Sequence, residues 1–155
     1  LDVPVIAAGG IGDSRSILAA FALGAEGVQI GSRFVATDES SAHLAFKERV
    51  IAAKEGDTAL RLKPLTPVRL LDNPFAQQVA AAEANGSDLE ALSELLGRGR
   101  AKRGMFEGDL EEGELEIGQV SGTIDAIVPA AQVMEELVQG YHALTHGMTE
   151  PRFRW

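Results

Sequence analysis

Cysteine is absent from the 155-residue chain, which excludes disulfides, thiolate catalysis and cysteine-ligated zinc or iron–sulfur centres. No apolar stretch is long enough to span a bilayer, and no charged segment with a cleavable apolar core opens the chain. The sequence therefore reads as cytoplasmic, without a membrane partner. Positive charge is also scarce. With 14 Lys and Arg against 23 Asp and Glu the net charge is -9, and nucleic-acid binding, which needs clustered Lys and Arg to neutralise phosphates, is not expected. The one basic cluster, Arg98, Arg100, Lys102 and Arg103, runs into Glu107, Asp109, Glu111, Glu112, Glu114 and Glu116, the pattern of a solvated surface. No metal site is expected. His142 and His146 stand one helical turn apart, but without a neighbouring Glu or third ligand they read as an exposed helix end.

What is present is 45% hydrophobic, enough for one ordinary core. The informative part lies at the start. Val3-Pro4-Val5-Ile6-Ala7-Ala8 is an apolar run that breaks into Gly9-Gly10-Ile11-Gly12, and Gly27-Val28-Gln29-Ile30 breaks likewise into Gly31-Ser32. Runs rich in Val and Ile with little alternation suit strands buried on both faces of a parallel sheet. Between them lies a predicted helix. Asp13 or Ser14 can cap it, Ile17/Phe21 and Leu18/Ala22 are i,i+4 apolar pairs, and Gly24 supplies the left-handed residue that ends it. Strand, helix, strand at this spacing predicts a βαβ crossover rather than a hairpin.

Downstream, 33–37 reads as a short turn and 37–55 as a helix packing through Ala42, Leu44, Ala45, Val50 and Ile51. Residues 59–71, with Pro64 and Pro67, read as an extended excursion. Helices are predicted over 73–85, with proline at an early helical position, and over 88–96, ending at Gly97. The glycine-rich, charged stretch 99–118 reads as loop with at most a turn or two of helix. A helical pair is predicted at 121–127 and from Pro129 to 144, with a loose tail after it.

Glycines at the carboxyl end of a strand let backbone N–H groups approach an anion, and a following helix adds its positive end. One such turn carries little weight, since any tight strand-to-helix turn can require glycine. Two in this order match the phosphate site that a (β/α)8 barrel builds after its last two strands, together with a short extra helix. The doubly wound alternative lacks its G-x-G-x-x-G fingerprint here, and there is no P-loop lysine.

At these residues the chain resembles a known family. Pro4-Val5-Ile6-Ala7-Ala8-Gly9-Gly10-Ile11 and Ala22-Leu23-Gly24-Ala25-Glu26-Gly27-Val28-Gln29-Ile30-Gly31-Ser32-Arg33-Phe34 resemble the last two strand regions of the nitronate monooxygenases, formerly called 2-nitropropane dioxygenases. FMN-dependent enoyl-ACP reductases share the pattern. Ala36-Thr37-Asp38-Glu39-Ser40-Ser41-Ala42-His43, Gly104-Met105-Phe106-Glu107-Gly108-Asp109 and Gly113-Glu114-Leu115-Glu116-Ile117-Gly118-Gln119-Val120-Ser121-Gly122 extend the resemblance to about residue 137. Glycolate-oxidase-like enzymes and inosine-monophosphate dehydrogenases usually carry aspartate before the paired glycines, where this chain has Ala8.

The resemblance implies the C-terminal portion of an FMN-binding (β/α)8 TIM barrel, its last two strands, followed by a mainly helical extension. It implies a division into 1–57, the last two βα units with the phosphate site; 58–147, the extension packed on the barrel; and 148–155, the tail. It further implies an FMN phosphate held by backbone N–H groups of Gly9, Gly10, Gly31 and Ser32, with the Ser32 hydroxyl as an extra donor and Gln119 lining the site or capping a helix. The implied activity is oxidation of alkyl nitronates by O2 to a carbonyl compound and nitrite. An NAD(P)H-dependent enoyl thioester reductase is the alternative, and a non-catalytic phosphate-binding or interaction module is the third reading. The partner expected is a small-molecule substrate, with a homodimer allowed for. The family's active-site histidine has no counterpart here. His43 reads as structural, the catalytic groups are expected upstream of Leu1, and two strands alone are expected to leave an open edge.

Overall fold

The computed structural model describes residues 2–150. Strand β1 (Ile6–Ala8), helix α1 (Ser14–Ala22) and strand β2 (Gly27–Gln29) form the expected crossover unit, with β1 parallel to β2 in the register Ile6↔Gly27, Ala7↔Val28, Ala8↔Gln29. The local signals that start and stop α1 are satisfied. Ser16 donates its amide to the Asp13 carboxylate at 2.7 Å, while its hydroxyl accepts from the Asp13 amide at 3.2 Å, a closed capping box. At the other end Gly24, at φ 97°, lets its own amide reach the Phe21 carbonyl and that of Ala25 reach Ala20, both at 3.0 Å.

Burial of the strands differs from expectation. Ile6 is 53% exposed and Ala8 is exposed, because β1 and β2 have only each other as sheet neighbours among the described residues and one face is uncovered. Their other face meets helices. Ile17 of α1 packs with Val133 and Leu137 of α6 (Ala130–Gly147), and Ala7, Val28 and Ile30 rest on that cluster.

After β2 comes one turn of helix, α2 (Ser32–Val35), and then a departure from the predicted helix over 37–55. Helix α3 spans only Leu44–Ile51. Residues 37–43 form a bridge and a turn instead, since Thr37 bridges Val128, the Asp38 amide donates to the Val128 carbonyl at 3.2 Å and the Ser40 amide closes on the Thr37 carbonyl at 3.3 Å. Lys47 reinforces this from α3. Its buried ammonium donates to the carbonyls of Thr37 at 2.6 Å and Asp38 at 3.3 Å, which offsets its desolvation. The buried face of α3 is Phe46, Lys47 and Val50, whereas Leu44, counted as apolar packing, is 58% exposed.

The excursion at 59–71 is a β-hairpin, β3 (Thr58–Arg61) antiparallel to β4 (Val68–Leu71), so the mainly helical extension contains a sheet. Residues 115–117 add a third extended segment, through Leu71 N–H to the Leu115 carbonyl at 3.0 Å and Ile117 N–H to the Arg69 carbonyl at 3.1 Å. Alternation along β4 lets one strand serve two cores. Leu71 joins Phe46, Val50, Leu115 and Ile117, while Leu70 joins Leu62, Phe75 and Val79. Each such fully buried side chain contributes about 1.5–3 kcal/mol.

Helices α4 (Pro74–Ala84) and α5 (Leu89–Leu96) form as predicted, capped by Asn73 and Asp88. Within the glycine-rich loop lies a five-residue π-helix, Lys102–Phe106. The predicted helix at 121–127 shrinks to a 3-10 turn, Gln119–Thr123, because Ile124 is extended and buried. Helix α6 opens after Pro129 and runs one turn beyond 144. Residues 151–155 of the expected tail lie outside the described residues.

Candidate functional site

Both glycine turns leave the carboxyl ends of β1 and β2 and open on one cleft of about 280 Å³, lined by Ala8, Gly9, Gly10, Gly31, Ser32 and Gly118 among others. Gly9 and Gly10 stand at φ 89° and 71°, a region that costs other residues roughly 1–2 kcal/mol each. A Cβ on either glycine, or on Gly31, would meet nothing within 4 Å, so space is left around all three. No carboxylate side chain lines the cleft. A concave, acid-free cleft with Gly9, Gly10, Gly31 and Gly118 in its lining fits a phosphate monoester, whose oxygens need preorganised donors that side chains do not screen.

The helix that follows the first turn carries its own carboxylate at its N-terminus. Asp13 is the N-cap of α1, its carboxyl held below the usual range chiefly by the Ser16 hydroxyl and then by the Ser16 amide. The positive end of α1 is thereby answered by a carboxylate, and α2 is a single turn.

Ser32 has a partner that its neighbourhood in sequence does not reveal. Its Oγ accepts the Gly118 amide at 3.0 Å across 86 residues of chain. Gly118 and Val120 line the cleft, while Gln119 between them is exposed and is not among the lining residues. On the other side, Val120 packs on Gly12, where a Cβ would come within 2.5 Å of Val120 Cγ2. Gly118 and Val120 line the cleft but were not among the candidates read from the sequence, and Gly12 lies behind Val120. Gly118 was visible only as a glycine in the matched stretch before Gln119.

The histidines lie elsewhere. His43 caps α3, its Nδ1 accepting the Ala45 amide at 3.2 Å, and its ring leaves no room for a side chain on Gly108. The His142 ring meets Tyr141 edge-on at 5.9 Å and borders a second cavity of about 380 Å³ between α1, β2 and α6, lined by apolar side chains such as Phe21, Val28, Phe34 and Leu137. That cavity offers few polar groups for chemistry.

The family model for nitronate monooxygenase matches residues 1–140. The chain belongs to the nitronate monooxygenase family. The probable nitronate monooxygenase of Staphylococcus aureus (strain N315) is 34% identical over 140 residues, which are 89% of this chain and 39% of that protein. That of Bacillus subtilis (strain 168) is 55% identical over 60 residues, 39% of this chain and 17% of that protein. Among solved structures, FabK from Thermotoga maritima superposes with a TM-score of 0.88 at 40% identity, covering 96% of this chain and 47% of that one. The nitroalkane oxidase from Streptomyces ansochromogenes gives 0.72 at 31% identity, over 96% of this chain and 42% of that one. The chain thus spans less than half the length of these family relatives and solved structures. Both glycine turns and residues 118–120 fall inside the family match. Among the described residues no helix is long and apolar enough to cross a membrane.

Proposed function

We propose that this chain supplies the phosphate-binding end of an FMN site in a flavin-dependent nitronate monooxygenase, built on the last two βα units of a (β/α)8 barrel within 1–57 and covered by the extension 58–147. The observation that carries the reading is the pairing of two glycine turns, from adjacent parallel strands, on one cleft free of carboxylates. Amides of Gly9, Gly10, Gly31 and Ser32 would hold the phosphate. FMN, when bound, supplies the redox chemistry by which an alkyl nitronate and O2 yield a carbonyl compound and nitrite. This chain's residues position the cofactor; the residues that meet the substrate belong to the rest of the active site. Gln119, exposed beside Gly118, is the weakest member of the proposed set.

A second reading, the NAD(P)H-dependent enoyl thioester reductase, is favoured by the superposition on FabK. One experiment separates the two. The intact protein is assayed with propionate 3-nitronate and O2, and separately with NAD(P)H and an enoyl thioester. Nitrite release without thioester reduction supports the monooxygenase, and the converse the reductase. A folded protein without the visible absorbance of flavin would overturn both and leave a phosphate-binding or interaction module.

A further inference from the structure

Residues 118–120 cross the mouth of both glycine turns although they belong to neither. Gly118 meets Ser32 of the second turn, and Val120 meets Gly12 of the first. The segment is anchored on both sides. Upstream, Ile117 is hydrogen-bonded to Arg69 of β4; downstream, the Ser121 amide closes on the Gly118 carbonyl at 3.0 Å, with Ser121 fully buried. It is a fixed third wall of the cleft.

Its chemistry acts through Ser32. A serine hydroxyl has one proton and two lone pairs. The Gly118 amide takes a lone pair, and among the described residues the hydroxyl proton meets no protein acceptor. Donation by the amide also polarises the O–H and strengthens it as a donor. The contact admits no side chain at residue 118, since a Cβ there would lie 2.6 Å from Ser32 Oγ. Backbone conformation is not the reason for glycine at this position. Gly118 sits at φ -71° and ψ 155°, where any residue is comfortable.

We propose that residues 118–120 are a strap that sets the phosphate end of the site, with Gly118 as a positioning residue that directs the Ser32 hydroxyl proton at a phosphate monoester dianion. The strap therefore governs discrimination between FMN and riboflavin, which lacks the phosphate. This rests on the phosphate assignment made above.

The test measures binding of FMN and of riboflavin to the intact apoprotein for wild type, Gly118→Ala, Ser32→Ala and the double variant. In Gly118→Ala, FMN affinity falls by about ten- to a hundredfold, the weight of one hydrogen bond to a charged group, while riboflavin affinity holds. Ser32→Ala removes the hydroxyl without a clash and gives a similar loss. The double variant then costs little more than either single one, because both act through one contact. Equal losses for the two flavins, additive losses, or an unchanged FMN affinity would overturn the strap. Gly10→Val separates the two levels: if it keeps FMN, the phosphate assignment fails and the strap with it; if it loses FMN while Gly118→Ala does not, the strap alone fails.

Discussion

Gly140 of α6 passes against Ser14 of α1 so closely that a side chain at 140 would collide with the Ser14 hydroxyl, which donates to the Leu137 carbonyl at 3.0 Å. This crossing locks the helix between the two glycine turns onto α6. Gly140→Ala should destabilise the intact protein by about 1–3 kcal/mol through overpacking, read as a lower denaturation midpoint. Adding Ser14→Ala should recover part of that loss; a variant as stable as wild type would mean the helices do not meet this way.

The glycine turns separate strain from occupancy. Gly10→Val introduces both, since Gly10 is at φ 71°, whereas Gly31 is at φ -107° and Gly31→Val carries no left-handed strain. Both variants should purify without flavin colour, Gly10→Val with a lowered Tm as well. Full flavin content in the Gly31 variant would remove that amide from the site.

Asp13 predicts an acid limb of stability. Its folded carboxyl lies below the ordinary 3.8, so the cap contributes fully above that value and is lost as pH falls through the lower folded one. Asp13→Ala should cost about 1 kcal/mol near neutrality and flatten the decline of Tm below about pH 4. An unchanged slope in a Tm series against pH would argue against the cap.

Glu114 works in the opposite sense. Burial pushes its carboxyl above the ordinary 4.5, Glu116 adds to the shift, and Arg100 opposes it. Stability from this group is full below the unfolded value and is lost as pH rises through the folded one. Glu114→Gln should therefore match wild type in mild acid and exceed it at neutral pH; a destabilised variant at neutral pH would count against a strained carboxylate.

Local elements were legible where a few adjacent residues contain the whole cause. The Asp13 box, the Gly24 stop and the Asn73 and Asp88 caps follow from side chains within one turn of the backbone they satisfy, and the spacing of two apolar runs around one helix carries the parallel crossover. Helix 37–55 misled because its first residues are held by Val128 and Lys47, so tertiary hydrogen bonds outweighed propensity. The hairpin at 58–71 was obscured by Pro64 and Pro67, which fall in its connection rather than in its strands.

The sequence alone located the two glycine turns, since only glycine adopts the positive φ of Gly9 and Gly10 without strain and the second apolar run breaks at Gly31, and the matched stretches determined the family. Only the tertiary structure decided what closes the cleft. A contact such as Gly118 to Ser32 joins residues 86 positions apart, leaves no periodic trace in either segment, and exists because the 115–117 strand is carried there by pairing with β4.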